Sequence, residues 1–145
     1  MTRNDYDTHR NEFDMGGLTG CGFSTDATNV IMWKCSHNLK QANSGFKQSQ
    51  AARSHNISVN HRRKTLHSTR GHPSRWNDKT LAHLDSFLTS LHEGRVLQDV
   101  TFQLLSSDGN DIKRTTCRGA CGLSDNGYHR WSCAQAPVIN DISSP

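Results

Sequence analysis

The sequence predicts an α+β fold in which one helix is followed by a β-hairpin, with long disordered segments on both sides. Two observations predict it: apolar residues recur at helical spacing from Leu81 to Leu91, and apolar and polar residues alternate from Val100 to Leu104. The remainder of the chain has almost no periodicity. We therefore expect three parts, which are a disordered polar and basic region at 1–76, an ordered unit at 77–113 and an irregular tail at 114–145.

The composition favours a small core. Hydrophobic residues make up 32% of the 145 residues, and adding the 11 glycines still leaves the fraction below the roughly 45–50% that globular chains have. The charged fraction is 21%, so the chain is polar rather than highly charged. These values are consistent with one small ordered unit between long tails.

The helix of the ordered unit is predicted to begin near Asn77 or Asp78, because either side chain can accept a hydrogen bond from a free amide of the first turn. The apolar positions that follow have the spacing of a buried helical stripe, with Asp85 on the solvated face. Gly94 suits the left-handed residue that often follows a helix end. The stripe consists of Leu81, Leu84, Phe87, Leu88 and Leu91.

A β-hairpin is predicted after the helix. Val100, Phe102 and Leu104 alternate with polar residues, as in a half-buried strand. Asp108 is followed by glycine, which is a hairpin turn signal, and Ile112 begins the returning strand. One helix and one hairpin bury little apolar surface, so we expect this unit to need a partner surface.

The sequences LDSFLTSL (84–91) and LQDVTF (97–102) resemble the opening of a BTB/POZ domain of the kelch-like type, in which a leucine-rich helix leads into an Asp-Val-Thr-Phe strand. The resemblance implies a protein–protein interaction module that dimerises. In kelch-like proteins such a domain recruits substrates to cullin-type ubiquitin ligases, and in zinc-finger relatives it recruits corepressors. The implied partners are a second copy, another BTB protein, or a cullin if the domain were complete.

The resemblance also implies roles for individual residues. Four apolar side chains would line the first helix at the dimer interface, Asp99 would open the first strand near that interface, and Val100 and Phe102 would face the core. The four helix residues are Leu84, Phe87, Leu88 and Leu91.

The chain departs from the family after the hairpin. Between Arg114 and Cys133 it lacks the Ala/Val/Leu-rich helix that follows in BTB/POZ domains. The codons available from Arg114 to Gly122, read one nucleotide later, are compatible with that helix. A truncated or frameshifted product without a function of its own is therefore an alternative interpretation.

A nucleic-acid-binding protein is a second alternative, because the charge is unevenly distributed. The net charge is +4, but residues 51–76 contain six basic and no acidic residues, whereas 77–112 contain six acidic and two basic residues. Arg62, Arg63 and Lys64 form a short basic cluster that nucleic acid or a nuclear import receptor can bind.

The remaining motifs indicate no chemistry. Ser, His and Asp are abundant but occur in no catalytic arrangement, so we predict neither enzymatic activity nor a cofactor. Four residues offer the number of ligands that structural zinc needs, but not its usual spacing, so we predict no metal site. These residues are Cys117, Cys121, His129 and Cys133.

The location is predicted to be cytoplasmic or nuclear. The N-terminus lacks the apolar stretch of a secretory signal, and no run of residues is apolar and long enough to span a bilayer. We accordingly expect no membrane partner. In such a compartment the five cysteines are expected to be mostly reduced.

Overall fold

A computed structural model of the protein describes residues 2–45, 50–108, 111–125, 128, 131 and 133–135. Helices and strands both occur in this part of the chain, which confirms the predicted α+β class. In chain order they are α1 (Arg3–Met15), β1 (Cys21–Ile31), α2 (His37–Lys40), β2 (Ala52–Val59), β3 (Thr65–Ser68), β4 (His72–Pro73), α3 (Asp78–Leu84), α4 (Ser86–His92), β5 (Thr101–Asp108), β6 (Asp111–Arg118), β7 (Cys121–Leu123) and β8 (Ala134–Gln135).

The larger of two sheets is mixed and has the order β3-β2-β1-β7-β8, with β4 also pairing with β2. β1 and β2 are antiparallel, with Ser24 opposite Val59 and Ile31 opposite Ala52. β7 runs parallel to β1, and β8 runs parallel to β7. The smaller sheet consists of β5 and β6 alone. The chain thus enters the large sheet before α3 and returns to it after the β5–β6 hairpin.

The structure differs from the prediction for residues 1–76, which contain α1 and most of the large sheet. The strand β2 was missed because its buried positions are polar: Ser54, Asn56 and Ser58 alternate with half-buried residues. A period of two is present, but the buried positions are mostly polar, and the apolar Ile57 and Val59 lie at half-buried positions. Hydrophobicity therefore gives no signal for this strand.

The N-terminal helix α1 begins at a capping box. The Thr2 hydroxyl accepts a hydrogen bond from the backbone amide of Asp5, and the Asp5 carboxylate accepts one from the amide of Thr2. The helix buries Tyr6 and Phe13. The Tyr6 hydroxyl donates a hydrogen bond to the carbonyl of Gly20 at 2.5 Å. This short helix is thereby joined to the start of β1.

The single helix predicted from the stripe at 81–91 is two helices in the structure, α3 and α4, which meet at Asp85. The start is as predicted, because Asn77 caps α3 through the amide of Thr80. Asp85 is extended (φ −81°, ψ 104°) and its carboxylate accepts hydrogen bonds from the amides of Phe87 and Leu88. An Asp that caps the next turn competes with helix continuation, which explains the break.

The predicted hairpin is present as β5 and β6, which pair from Thr101 opposite Arg118 to Asp108 opposite Asp111. The predicted turn glycine after Asp108 lies outside the described residues. Gly94 has the predicted left-handed conformation, with φ of +68°.

The tail predicted to be irregular from 114 onward differs in part from the prediction. It contains most of β6, all of β7 and the short β8. Apart from Tyr128, Trp131 and 133–135, the residues after 125 lie outside the described part of the chain. β7 was missed because three residues are too few to show a period.

Candidate functional site

The residues that the sequence assigned to an interaction surface are divided between the core and the exterior. Leu88 and Leu91 are buried, and Phe87 is half-buried against Phe23 with ring centroids 5.2 Å apart. Leu84 is 46% exposed because the helix breaks at the next residue. The helical stripe is thus not a continuous face open to a second chain.

The partner surface that the helix was expected to need belongs to the same chain. Leu88 and Leu91 pack in one cluster with aromatic residues from distant parts of the sequence. That cluster also holds Val100, which is fully buried as predicted for a core residue. The aromatic members are Tyr6, Phe23, Tyr128 and Trp131.

Asp99 and Phe102 lie at the base of the hairpin. The Asp99 side chain is 73% exposed and forms an ion pair with Arg3. Phe102 packs against a second buried cluster of Phe13, Cys21 and Cys121. The base of the hairpin is therefore attached to the body of the protein on one face.

Beyond its base, the β5–β6 hairpin is exposed. Leu104 is 37% exposed, Leu105 67% and Ile112 74%. In the register of the hairpin, Leu105 lies opposite Arg114. Ile112 precedes Arg114 by two residues in β6 and therefore lies on the same face as Leu105. Solvent-exposed apolar side chains that adjoin one another are typical of protein contact surfaces.

The two edges of the hairpin differ in charge. β5 has one charged residue, Asp108 at its end, whereas β6 carries Asp111, Lys113, Arg114 and Arg118. In the described part of the chain, β5 pairs with β6 and with no other strand. Charged side chains, lysine above all, protect an edge strand from pairing with another strand. The edge of β5 therefore lacks the protection that β6 has.

The basic cluster lies at the tight turn between β2 and β3. The amide of Arg63 bonds to the carbonyl of Asn60, and the Asn60 side chain accepts a hydrogen bond from the amide of Lys64. Glu12 of α1 forms an ion pair with Arg62 at 2.8 Å. Burial raises the pKa of Glu12, but the His61 hydrogen bond and the Arg62 charge outweigh it, so this pKa is lowered overall. Part of the cluster is thus neutralised within the chain.

Asp85, which the sequence placed on the solvated face, is fully buried at the centre of a hydrogen-bond network. Its carboxylate accepts a hydrogen bond from the Asn56 side chain at 2.6 Å and lies 3.0 Å from Nε2 of His67. Tyr128 donates to the Asn56 side chain at 2.6 Å, and burial, followed by nearby carboxylates, raises the pKa of that hydroxyl. The network caps α4 and joins it to β2, which is a structural role.

One polar cleft of about 330 Å³ is lined by residues of β1, β2 and the segment that precedes α3. Its walls include Asp26, Asn29, Ser54, Trp76 and Asp78. Small-molecule sites are lined mostly by apolar and aromatic side chains. The polar walls of this cleft differ from the mostly apolar lining of such sites.

Of the four candidate zinc ligands, the three cysteines lie in the described part of the chain. Cys121 contacts Cys21, Cys133 lies near the carbonyl of Leu88, and Cys117 is on the hairpin. His129 lies outside the described residues. In the described part of the chain, no group of three or more His, Cys, Asp or Glu residues is placed to hold a metal ion.

Comparison with known proteins finds no family model, no curated protein and no solved structure that matches this chain. The BTB/POZ resemblance therefore stays a prediction. Among the described residues, no helix is both long and apolar enough to cross a bilayer. The exposed hairpin is the feature from which a function can be argued.

Proposed function

We propose that this chain is a protein–protein interaction module that binds a second copy of itself through the free edge of β5. The observation that carries the proposal is an edge from Phe102 to Leu105 without charged residues, with one strand neighbour and exposed leucines. Strand addition at such an edge supplies backbone hydrogen bonds, and the side chains provide specificity.

A second copy fits this edge by symmetry. If two β5 strands pair antiparallel about a two-fold axis at Leu105, Leu105 of one copy lies opposite Leu105 of the other on the same face of the sheet. The two hairpins would then form one four-stranded sheet. Pairing through β6 would instead bring Lys113 and Arg114 of both copies close together, which is unfavourable for like charges.

The resemblance to the opening of a BTB/POZ domain supports the same class of function. It implies self-association or binding to another BTB protein, and in the kelch-like type the recruitment of substrates to a ubiquitin ligase. The proposed surface differs from the one that the resemblance implies, because Leu88 and Leu91 are buried. Leu84, Asp99 and the edge of β5 are parts of the resembling segment that remain accessible to a partner.

A second candidate function is nucleic-acid binding, which one observation favours: Arg63 and Lys64 are exposed at a tight turn. The pairing of Arg62 with Glu12 weakens the positive surface there. Binding through this turn would decrease steeply with salt concentration, because lysine and arginine displace counterions condensed on the nucleic acid. Strand pairing at an uncharged edge would depend little on salt.

The test is analytical ultracentrifugation of the full chain and of two matched variants. Leu105→Lys places a charge on the edge strand, and Ile112→Lys places the same charge on an equally exposed position of β6. We expect the wild type to self-associate, Leu105→Lys to weaken the dimer by about tenfold or more, and Ile112→Lys to resemble the wild type.

Circular dichroism of both variants serves as the control for folding. A wild type that stays monomeric at high concentration would contradict the proposal. An equal loss of association in both variants would show that the face of the hairpin, and not the edge of β5, makes the contact. Salt-dependent retention of nucleic acid by a monomer would favour the second candidate function.

A further inference from the structure

Two buried thiols face each other where the hairpin joins the large sheet. Cys21 begins β1, Cys121 begins β7, and the two residues are direct partners in the parallel register. Their sulfur atoms are 3.6 Å apart. Cys21 is fully buried and Cys121 is 5% exposed. Neither thiol is in a disulfide.

The two thiols are not equivalent. Cys121 Sγ lies 3.0 Å from the carbonyl oxygen of Gly20, to which it donates. Its hydrogen-bond contact with Cys21, together with burial, raises the pKa of Cys121. The same contact lowers the pKa of Cys21 more than burial raises it. The two thiols are therefore coupled, and the thiolate that forms at this pair is the nucleophilic form of cysteine.

We propose that Cys21 and Cys121 are a redox-sensitive pair that hydrogen peroxide converts to a reversible disulfide. The Cys21 thiolate attacks one peroxide oxygen, the O–O bond breaks, and a sulfenic acid and hydroxide form. The Cys121 sulfur then attacks the Cys21 sulfur, and the leaving hydroxide takes up the Cys121 proton as water. Two thiols lose two electrons in total, and one peroxide is reduced to two waters.

The geometry selects this pair from the five cysteines. Cys133 is also buried, but its sulfur lies 3.8 Å from the carbonyl oxygen of Leu88 in the other core cluster. Cys35 and Cys117 are half-buried, and Cys117 lies on the hairpin. A bulky thiol reagent should react first at Cys35 and Cys117, whereas oxidation of the buried pair requires local opening of the structure.

A disulfide between Cys21 and Cys121 would restrain the chain. It would join β1 to β7 between residues 100 positions apart in sequence, and a cross-link over so long a loop restricts the unfolded chain strongly. Phe102 of β5 packs against the cluster that contains both cysteines and Phe13. Oxidation would therefore hold the base of the hairpin to the large sheet.

The experiment is peroxide treatment of the reduced full chain, followed by alkylation of remaining thiols, digestion without reductant and mass spectrometry. We expect a cross-linked peptide that joins Cys21 to Cys121, a fall in free thiols from the five of the reduced chain to three, and reversal by dithiothreitol. A cross-link between any other cysteines, or peroxide products without this cross-link, would overturn the proposal.

Thermal unfolding supplies a second measurement. The oxidised wild type should unfold at a temperature several degrees above that of the reduced wild type. Cys133→Ser is the matched control, since Cys133 is as buried as the pair, and this variant should keep the shift between its two redox states. Cys21→Ser should lose the cross-link. An oxidised wild type that unfolds no higher than the reduced form would contradict the inferred constraint.

Discussion

Two antiparallel strand pairs of this protein have the same number of opposed residues but differ in their neighbouring strands. β1 and β2 form eight opposed residue pairs, and so do β5 and β6. β1 and β2 each have another strand on their other side, whereas β5 and β6 have only each other in the described part of the chain. The first pair lies inside the large sheet, and the second forms a separate two-stranded sheet.

The polarity of the side chains in the two strand pairs is the opposite of what their burial would suggest. The inner strand β2 buries Ser54, Asn56 and Ser58, while the exposed hairpin presents Leu105 and Ile112 to solvent. Hydrophobic alternation thus identified a strand correctly without indicating whether anything covers it. In this chain, burial is set by neighbouring elements and not by the hydrophobicity of the strand itself.

The buried polar strand is possible because its side chains have partners. The Ser54 hydroxyl bonds to the Asn29 side chain, and Ser58 bonds to Thr25 of β1 at 3.3 Å. Asn56 bonds to Asp85 at 2.6 Å. A buried polar group that is paired costs little, whereas one left without a partner costs a few kcal/mol. The hairpin leucines have no comparable partner within the described residues.

The largest expected effect is on the free energy of unfolding, and it distinguishes a buried leucine from an exposed one. Leu88→Ala should lower the free energy of unfolding by about 2–5 kcal/mol, because it leaves a cavity in the core. Leu105→Ala should change it by less than about 0.5 kcal/mol, because the side chain is exposed. Urea denaturation measures both. Equal values for the two variants would show that the hairpin is covered as the core is.

A smaller loss is expected when the polar network of β2 is opened. Asp85→Ala removes the cap of α4 and leaves the Asn56 amide without its acceptor, at a cost of about 2–4 kcal/mol. The matched control is Asp99→Ala at the hairpin base, where the exposed ion pair with Arg3 contributes less than about 1 kcal/mol. If chemical denaturation gave the two variants the same stability, the buried network would not stabilise the sheet.

The smallest expected effect concerns His72 of β4, at the edge of the large sheet. Burial first, and then the nearby Arg70, His55 and Arg53, lower the pKa of His72 in the folded protein. Below a pH of about 6.5, the usual histidine pKa, the unfolded chain therefore binds a proton that the folded chain does not, and stability falls as pH falls.

Replacing His72 with Gln should reduce this loss of stability, and the comparison of unfolding free energies at pH 7 and pH 5.5 measures it. The same slope in the wild type and in the variant would show that His72 does not contribute to the pH dependence. The hairpin residues 101–105 contain no histidine, so the effect belongs to the large sheet.

Local features of the fold were predictable where one residue determines the backbone. Asn77 caps α3, Gly94 is left-handed, and β5 and β6 pair as a hairpin. The capping box of Thr2 and Asp5, with Tyr6 and Phe13 on one face, was a readable signal for α1 that the low overall hydrophobicity obscured. The helix break at Asp85 was not predicted, because an Asp between apolar helical positions fits a solvated helix face as well as the cap of a second helix.

The two candidate sites were also only partly predictable from the sequence. The exposure of Leu105 could not be predicted, because the alternation of a strand does not show which neighbours it has. The contact between Cys21 and Cys121 arises from parallel pairing of strands 100 positions apart, and no spacing rule relates them. What the sequence did indicate was the location of the hairpin, from which the proposed interaction follows.

The most direct test of the central claim is amide hydrogen exchange measured at low and high protein concentration. If two copies pair through β5, amides between Thr101 and Leu105 should exchange more slowly as concentration rises, while those of β1 and β2 should not change. The Leu105→Lys variant should show no such concentration dependence. Exchange in β5 that is independent of concentration in the wild type would contradict the account.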